Sequence, residues 1–99
     1  MTVHQLQQKT HEDRAEEILL FLNAKAGKRF RKCNPKGEFT AQYRKILLRL
    51  QEGYDYQDMK SIIAMLCRKW KDDPKMADYL TPDTMFGPEK IEKYLGMLG

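Results

Sequence analysis

Basic and aromatic side chains alternate in the middle of the chain, and together they could bind a nucleic acid. Between residues 25 and 49 there are nine lysines and arginines but only one acidic residue. Phe30, Phe39 and Tyr43 lie among these cations. Cationic side chains can contact phosphates while a base stacks on a neighbouring aromatic ring. The predicted nucleic-acid contacts are Lys28, Arg29, Arg31, Lys32, Arg44, Lys45 and Arg49.

The same segment allows two other interpretations. Its basic face could dock on a partner protein, or its lysines could simply keep a loop soluble while Phe30 packs in the core. Residues 1–24 and 50–99 each carry a formal charge of −2, so the positive charge of the chain is concentrated between them. Because such a concentration attracts polyanions, DNA contact is the first hypothesis for function.

Catalysis has no comparable support in the sequence. No Gly-x-Ser-x-Gly, His-Glu-x-x-His or P-loop pattern occurs. Cys33 and Cys67 are far apart with no histidine near either, so neither a metal site nor a cofactor is predicted. Asp72 and Asp73 are adjacent, but Asp73 is better explained as a cap before Pro74. The chain is therefore predicted not to be an enzyme.

Helical periodicity indicates which elements hold the basic segment. A first helix is predicted over residues 13–26, ended by Gly27. Residues 28–38 have no apolar period and contain the turn-forming run Asn-Pro-Lys-Gly at 34–37, which predicts the main loop. The cationic loop should therefore start at the end of the first helix.

A second helix should follow this loop and carry the rest of the basic residues. Thr40 is predicted to cap it and Glu52 to lie at its end. The period places Arg44, Lys45 and Arg49 on its solvent side. These three cations are expected to share a surface with the loop.

The strongest helical pattern in the chain runs from a cap at Asp55 to Lys71, and a last helix begins at Pro88. No convincing strand pattern appears. The predicted fold class is therefore all-α, a small single-domain bundle of about four helices with short helical turns near 74–86. The predicted core is Leu19, Leu22, Ile46, Leu50, Ile62, Leu66, Trp70 and Leu95.

Length and hydropathy limit the organisation of the chain. Ninety-nine residues suit one domain, predicted here as residues 14–99 after a flexible tail of residues 1–13. The longest apolar run, residues 18–22, is too short to span a bilayer, and the N-terminus lacks the layout of a signal peptide. A cytoplasmic location without membrane contact is expected.

Residues 73–87, DPKMADYLTPDTMFG, combine turn signals with apolar side chains. Asp73-Pro74 and Thr81-Pro82 each place a capping residue before a proline, which predicts two short helical turns. The apolar side chains of this segment either cover the core or form an exposed patch for a partner protein. They include Tyr79, Leu80, Met85 and Phe86.

This segment resembles the C-terminal domain of phage replication proteins of the replisome-organiser or replication-initiator type. The family hallmark reads much like D-P-x-M-x-x-Y-L-x-P-x-T-x-F-G. Two earlier blocks, in residues 18–31 and 49–70, match as well, so the resemblance covers about residues 17–98. The hallmark residues here are Asp73, Pro74, Met76, Tyr79, Leu80, Pro82, Thr84, Phe86 and Gly87.

The resemblance implies a part in phage or prophage DNA replication, as an accessory domain that helps assemble the replisome. In the family this domain usually follows a DNA-binding region, whereas some sixteen residues precede the match here. Two functions remain open: low-specificity binding of single- or double-stranded DNA, or docking on a helicase, helicase loader or initiator as an adaptor or competitor. No base-reading motif is evident, which favours non-specific phosphate contact.

Overall fold

Five α-helices and one 3₁₀ helix make up the fold, in a computed structural model that describes residues 9–99. Within those residues there is no strand, and only an isolated bridge pairs Cys33 with Phe39. None of the described helices is long and apolar enough to cross a membrane. The all-α prediction is confirmed. The elements are α1 (His11–Ala26), α2 (Ala41–Gln51), α3 (Tyr56–Trp70), the 3₁₀ helix (Ala77–Tyr79), α4 (Pro82–Met85) and α5 (Pro88–Met97).

The helix α1 begins two residues before the predicted start because Thr10 caps it. The hydroxyl of Thr10 accepts a hydrogen bond from the Asp13 N–H, and the Asp13 carboxylate accepts one from the Thr10 N–H. This reciprocal pair is a capping box. Gly27 ends the helix in the left-handed conformation, as predicted. Of the predicted tail, the last three residues thus belong to α1, and residues 1–8 lie outside the described part of the chain.

Side-chain caps also start α2, α3 and α4, at the three residues predicted from the sequence. Thr40, Asp55 and Thr81 each accept a hydrogen bond from the backbone N–H three residues later. A capping side chain followed by a segment with helical periodicity was enough to predict where these three helices start.

The turn after Asp73 is helical, as predicted, and the 3₁₀ helix follows it. The Asp73 carboxylate accepts hydrogen bonds from the N–H groups of Lys75 and Met76, as a capping residue would. The Ala77 N–H donates to the Asp73 carbonyl oxygen at 2.8 Å, which closes one helical turn over residues 73–77. The 3₁₀ helix then begins at Ala77.

The core lies between α1, α2 and α3, and α4 and α5 close it. Six of the eight predicted core residues are buried, whereas Trp70 and Leu95 are half-buried and pack against the others. The rings of Trp70 and Tyr94 meet edge to face with centroids 6.1 Å apart. In the 73–87 segment Leu80, Met85 and Phe86 are buried and cover the core, whereas Tyr79 is 52% exposed.

The helices α1 and α3 lie side by side and run in the same direction. Near their N-terminal ends, the Tyr56 hydroxyl donates a hydrogen bond to the Glu17 carboxylate. Farther along, Lys60 lies 5.0 Å from the centroid of the Phe21 ring. Near their C-terminal ends, Lys25 of α1 lines a cavity together with residues of α3. The carboxyl ends of the two helices therefore lie at the same end of the molecule.

Candidate nucleic-acid interface

The basic loop, residues 28–40, is fixed to both neighbouring helices by hydrogen bonds. The side-chain amide of Asn23 donates to the Phe30 carbonyl oxygen and accepts from the Phe30 N–H, both at 2.9 Å. The Thr40 hydroxyl donates to the Arg31 carbonyl oxygen at 2.6 Å. The Thr40 N–H donates to the Lys32 carbonyl oxygen at 2.9 Å. The loop backbone that carries the first cations is thus held in place.

The tip of the basic loop is also ordered by its own residues. The side-chain oxygen of Asn34 accepts hydrogen bonds from the N–H groups of Lys36 and Glu38. Gly37 has a φ of 84°, a left-handed conformation suited to glycine, and its N–H donates to the Asn34 carbonyl oxygen. The turn predicted at residues 34–37 is confirmed. Because the loop is already ordered, little backbone entropy would be lost when it binds a ligand.

Four of the seven predicted contact residues keep their charge available. Arg29, Arg31 and Arg44 are exposed and Lys28 is half-buried. None of them forms an ion pair with a carboxylate of residues 9–99. Residues 1–8 contain no aspartate or glutamate. These four side chains are therefore the strongest candidates for phosphate contact.

Lys32 is held by groups of its own chain. Its ammonium nitrogen lies 3.5 Å from a Glu16 carboxylate oxygen and 5.9 and 5.6 Å from the ring centroids of Phe39 and Tyr43. The two rings are 4.8 Å apart. Lys32 thus fixes the loop against α1 and α2, although its half-buried side chain leaves part of its charge accessible.

Only part of the aromatic surface suggested by the sequence is accessible in the basic segment. Tyr43 is fully buried, and Phe30 and Phe39 are half-buried and pack against the core. The Tyr43 hydroxyl donates a 2.9 Å hydrogen bond to the Glu12 carbonyl oxygen, which ties α2 to the first turn of α1. Burial, followed by the nearby Glu12 and Glu16 carboxylates, raises the pKa of Tyr43 to about 12. The phenol therefore remains a neutral donor near neutral pH.

Lys45 is paired with a residue of the hallmark segment. Its ammonium nitrogen lies 3.5 Å from a carboxylate oxygen of Asp83 in α4. The Asp83 N–H also donates a 3.3 Å hydrogen bond to the side chain of Gln42. Since Asp83 is largely exposed, the ion pair adds little stability, and a phosphate could replace the carboxylate.

Arg49 is buried, so the prediction that it faces solvent and contacts phosphate is wrong. Its side chain is 6% exposed, and its Nη2 atom lies 3.0 Å from a Glu52 carboxylate oxygen. The Tyr54 N–H donates to the Arg49 carbonyl oxygen at 3.1 Å in the turn that ends α2. Helical period alone assigns Arg49 to the surface, whereas tertiary packing buries it.

A second group of cations lies outside the predicted contacts. Lys25, Arg68 and Lys71 line an open cavity of about 460 Å³ between the ends of α1 and α3, together with Ala64, Cys67 and Asp72. Each of these basic residues is evident in the sequence. Only the parallel packing of α1 and α3 brings them together, and no local pattern predicts that packing.

The described residues show no metal-binding arrangement. No group of three or more histidine, cysteine, aspartate or glutamate side chains in residues 9–99 could hold a metal ion. Both cysteines are free thiols, with Cys33 half-buried in the basic loop and Cys67 buried beside the cavity.

Comparison with known proteins connects this geometry to a family. The sequence model of a family described as "Conserved phage C-terminus" matches residues 18–96. The match extends from α1 into α5, so it includes the basic loop and the cavity between α1 and α3. No match to the chain was found among curated proteins or among solved structures.

Proposed function

This chain belongs to the conserved phage C-terminus family, and we propose that it binds DNA non-specifically and takes part in phage or prophage DNA replication. The observation that supports DNA binding is the group of unpaired cations on the basic loop and α2. The replication role rests on the resemblance of residues 73–87 to the hallmark of phage replication proteins. The predicted contact residues among these unpaired cations are Lys28, Arg29, Arg31 and Arg44.

The arrangement favours backbone contact over base reading. Arg29 and Arg31 project from a hydrogen-bonded loop, and Arg44 lies on the exposed side of α2. Long cationic side chains on such a surface can reach phosphates of any sequence, whereas base reading needs groups inserted into a groove or stacked on bases. The burial of Tyr43 removes one ring that could have stacked. We therefore expect low sequence preference.

Titration of labelled single- and double-stranded DNA at two salt concentrations tests this function. Four phosphate contacts predict that log K falls with log salt with a slope of about −3 to −4. Oligonucleotides of unrelated sequence should bind with similar affinity. Absence of binding to either DNA form at low salt would refute the proposal, and so would binding that salt does not weaken.

Docking on a replication protein is the second candidate function. Leu48 is 48% exposed and lies one turn after Arg44 on the outer side of α2. An apolar side chain beside an arginine is suited to a protein interface. If a purified helicase, helicase loader or initiator is the partner, Leu48→Gln should weaken that complex and leave DNA affinity unchanged. Equal complex formation by the variant and the wild type would argue against this surface.

A further inference from the structure

We propose that the cavity between the C-terminal ends of α1 and α3 binds a backbone phosphate of the same DNA. This inference rests on the proposed function, because it extends the DNA path from the basic loop to a second site. The site consists of the cationic groups of Lys25, Arg68 and Lys71 around an open cavity of about 460 Å³.

The three cations are not neutralised by ion pairs. None forms one with a carboxylate of residues 9–99, and residues 1–8 contain no acidic side chain. The cavity lining contains a single carboxylate, that of Asp72. On the basic loop and α2, by contrast, Lys32 and Lys45 are each paired with a carboxylate. The cavity therefore has a formal charge of +2 from its lining side chains.

The C-terminal ends of α1 and α3 offset only part of the positive charge of the cavity lining. Cations are favourable at helix C-termini because each end carries roughly −0.5 of an elementary charge. Two parallel helices end beside the cavity, so their dipoles offset about one positive charge of the lining. About one positive charge remains, which matches the single negative charge of a phosphodiester.

The position and polarity of the cavity also suit a nucleic-acid backbone. The chain passes from Lys25 through Gly27 directly into the basic loop, so the cavity adjoins the cations of that loop. The Cys67 side chain lies at the cavity wall and is almost fully buried. Burial raises the pKa of the Cys67 thiol, although Lys71 and Lys25 oppose the rise. A neutral thiol at neutral pH would not repel an anion.

Salt-dependent DNA titration of paired variants tests the site. The double variant Arg68→Gln/Lys71→Gln removes two of the proposed contacts, whereas Lys69→Gln/Lys90→Gln removes the same charge from exposed residues that do not line the cavity. The slope of log K against log salt should become shallower by about 1.4 to 1.8 in the first variant and should hardly change in the second. Equal slopes in the two folded variants would overturn the proposal.

Alkylation of a thiol introduced at the cavity gives a second, local measurement. Ala64 lines the cavity and is partly exposed, so Ala64→Cys in a Cys33→Ser/Cys67→Ala background places one accessible thiol there. DNA bound in the cavity should slow the reaction of this thiol with N-ethylmaleimide several-fold. Inorganic phosphate or a mononucleotide at the same phosphate concentration should slow it much less. Protection by these small anions but not by DNA would overturn the proposal in favour of a small-anion site.

The two proposals fail in different ways. Loss of DNA binding in Arg29→Gln/Arg31→Gln, combined with wild-type binding in Arg68→Gln/Lys71→Gln, would overturn the cavity site alone. Absence of DNA binding by the wild-type chain would overturn both. Circular dichroism melting of each variant shows whether the fold is retained.

Discussion

The Nη2 atom of Arg49 lies 3.0 Å from a carboxylate oxygen of Glu52, although Arg49 is buried and the Glu52 side chain is half exposed. The Nε atom of the same guanidinium is buried and has no hydrogen-bond partner within the described structure. A buried cation depends strongly on its few partners, because the alternative is an uncompensated charge. The Arg49–Glu52 pair thus belongs to the packing of α2 and not to the proposed DNA-binding surface.

Substitutions of Glu52 and of Arg49 should therefore lower the free energy of unfolding by different amounts. Glu52→Gln leaves a buried guanidinium without its carboxylate and should lower the free energy of unfolding by about 1 to 3 kcal/mol. Arg49→Met removes the buried charge and the unpaired Nε atom while retaining a long side chain, so it should cost less. Urea unfolding measures both. A larger loss of unfolding free energy in Arg49→Met than in Glu52→Gln would contradict this account. Weaker DNA binding by folded Arg49→Met would show that the guanidinium also contacts DNA.

The raised pKa of Tyr43 predicts a specific loss of stability at alkaline pH. Its pKa is raised from 10.0 to about 12, so the native state favours the protonated phenol. This contribution is fully present below pH 10 and is lost as the pH rises towards 12. Tyr43→Phe should remove that part of the alkaline decline, while the lost hydrogen bond to Glu12 costs about 0.5 to 1.5 kcal/mol near neutral pH. Parallel alkaline stability curves for the variant and the wild type would contradict this assignment.

Two leucines of different burial give a matched test of the core. Leu66 on α3 is fully buried, whereas Leu20 on α1 is 57% exposed. Leu66→Ala should lower the free energy of unfolding by about 2 to 5 kcal/mol, because it removes buried methyl groups and leaves a cavity. Leu20→Ala should change it by only about 0.5 kcal/mol or less. Thermal unfolding followed by circular dichroism distinguishes them, and similar losses would place the core elsewhere.

The cap of α4 gives a test of the hallmark segment. The Thr81 hydroxyl accepts a 3.2 Å hydrogen bond from the Thr84 N–H. Thr81→Ala should cost about 0.5 to 2 kcal/mol of stability, and Thr81→Ser should retain most of it because serine keeps the acceptor. DNA affinity should be the same in both. Loss of DNA binding by a fully stable Thr81→Ala protein would identify Thr81 as a contact residue.

Most of the helix boundaries could be predicted because they depend on local chemistry. A side-chain acceptor at Thr40, Asp55 or Thr81 and a glycine at position 27 act within a few residues of the chain. The start of α1 was missed because residues 7–13 contain no apolar side chain, so helical periodicity does not extend back to the capping box at Thr10.

The candidate site was predictable only where its side chains stay on the surface whatever the tertiary packing. Arg29 and Arg31 lie in a polar loop, so their exposure followed from composition. The burial of Arg49 instead depends on tertiary packing around α2, and the cavity beside Lys71 depends on the parallel packing of α1 and α3. Helical periodicity describes one helix at a time, so it predicts neither the burial of Arg49 nor the position of the cavity.

The salt dependence of DNA binding by an Arg29→Gln/Arg31→Gln/Arg44→Gln variant tests the DNA-binding proposal most directly. Lys69→Gln/Lys75→Gln/Lys90→Gln is the matched control, since it removes three exposed lysines outside the basic loop and α2. Loss of three phosphate contacts should weaken binding to every DNA sequence and reduce the slope of log K against log salt by about 2 to 3, without a change in melting temperature. Affinity and slope equal to those of the control would contradict DNA binding through this surface.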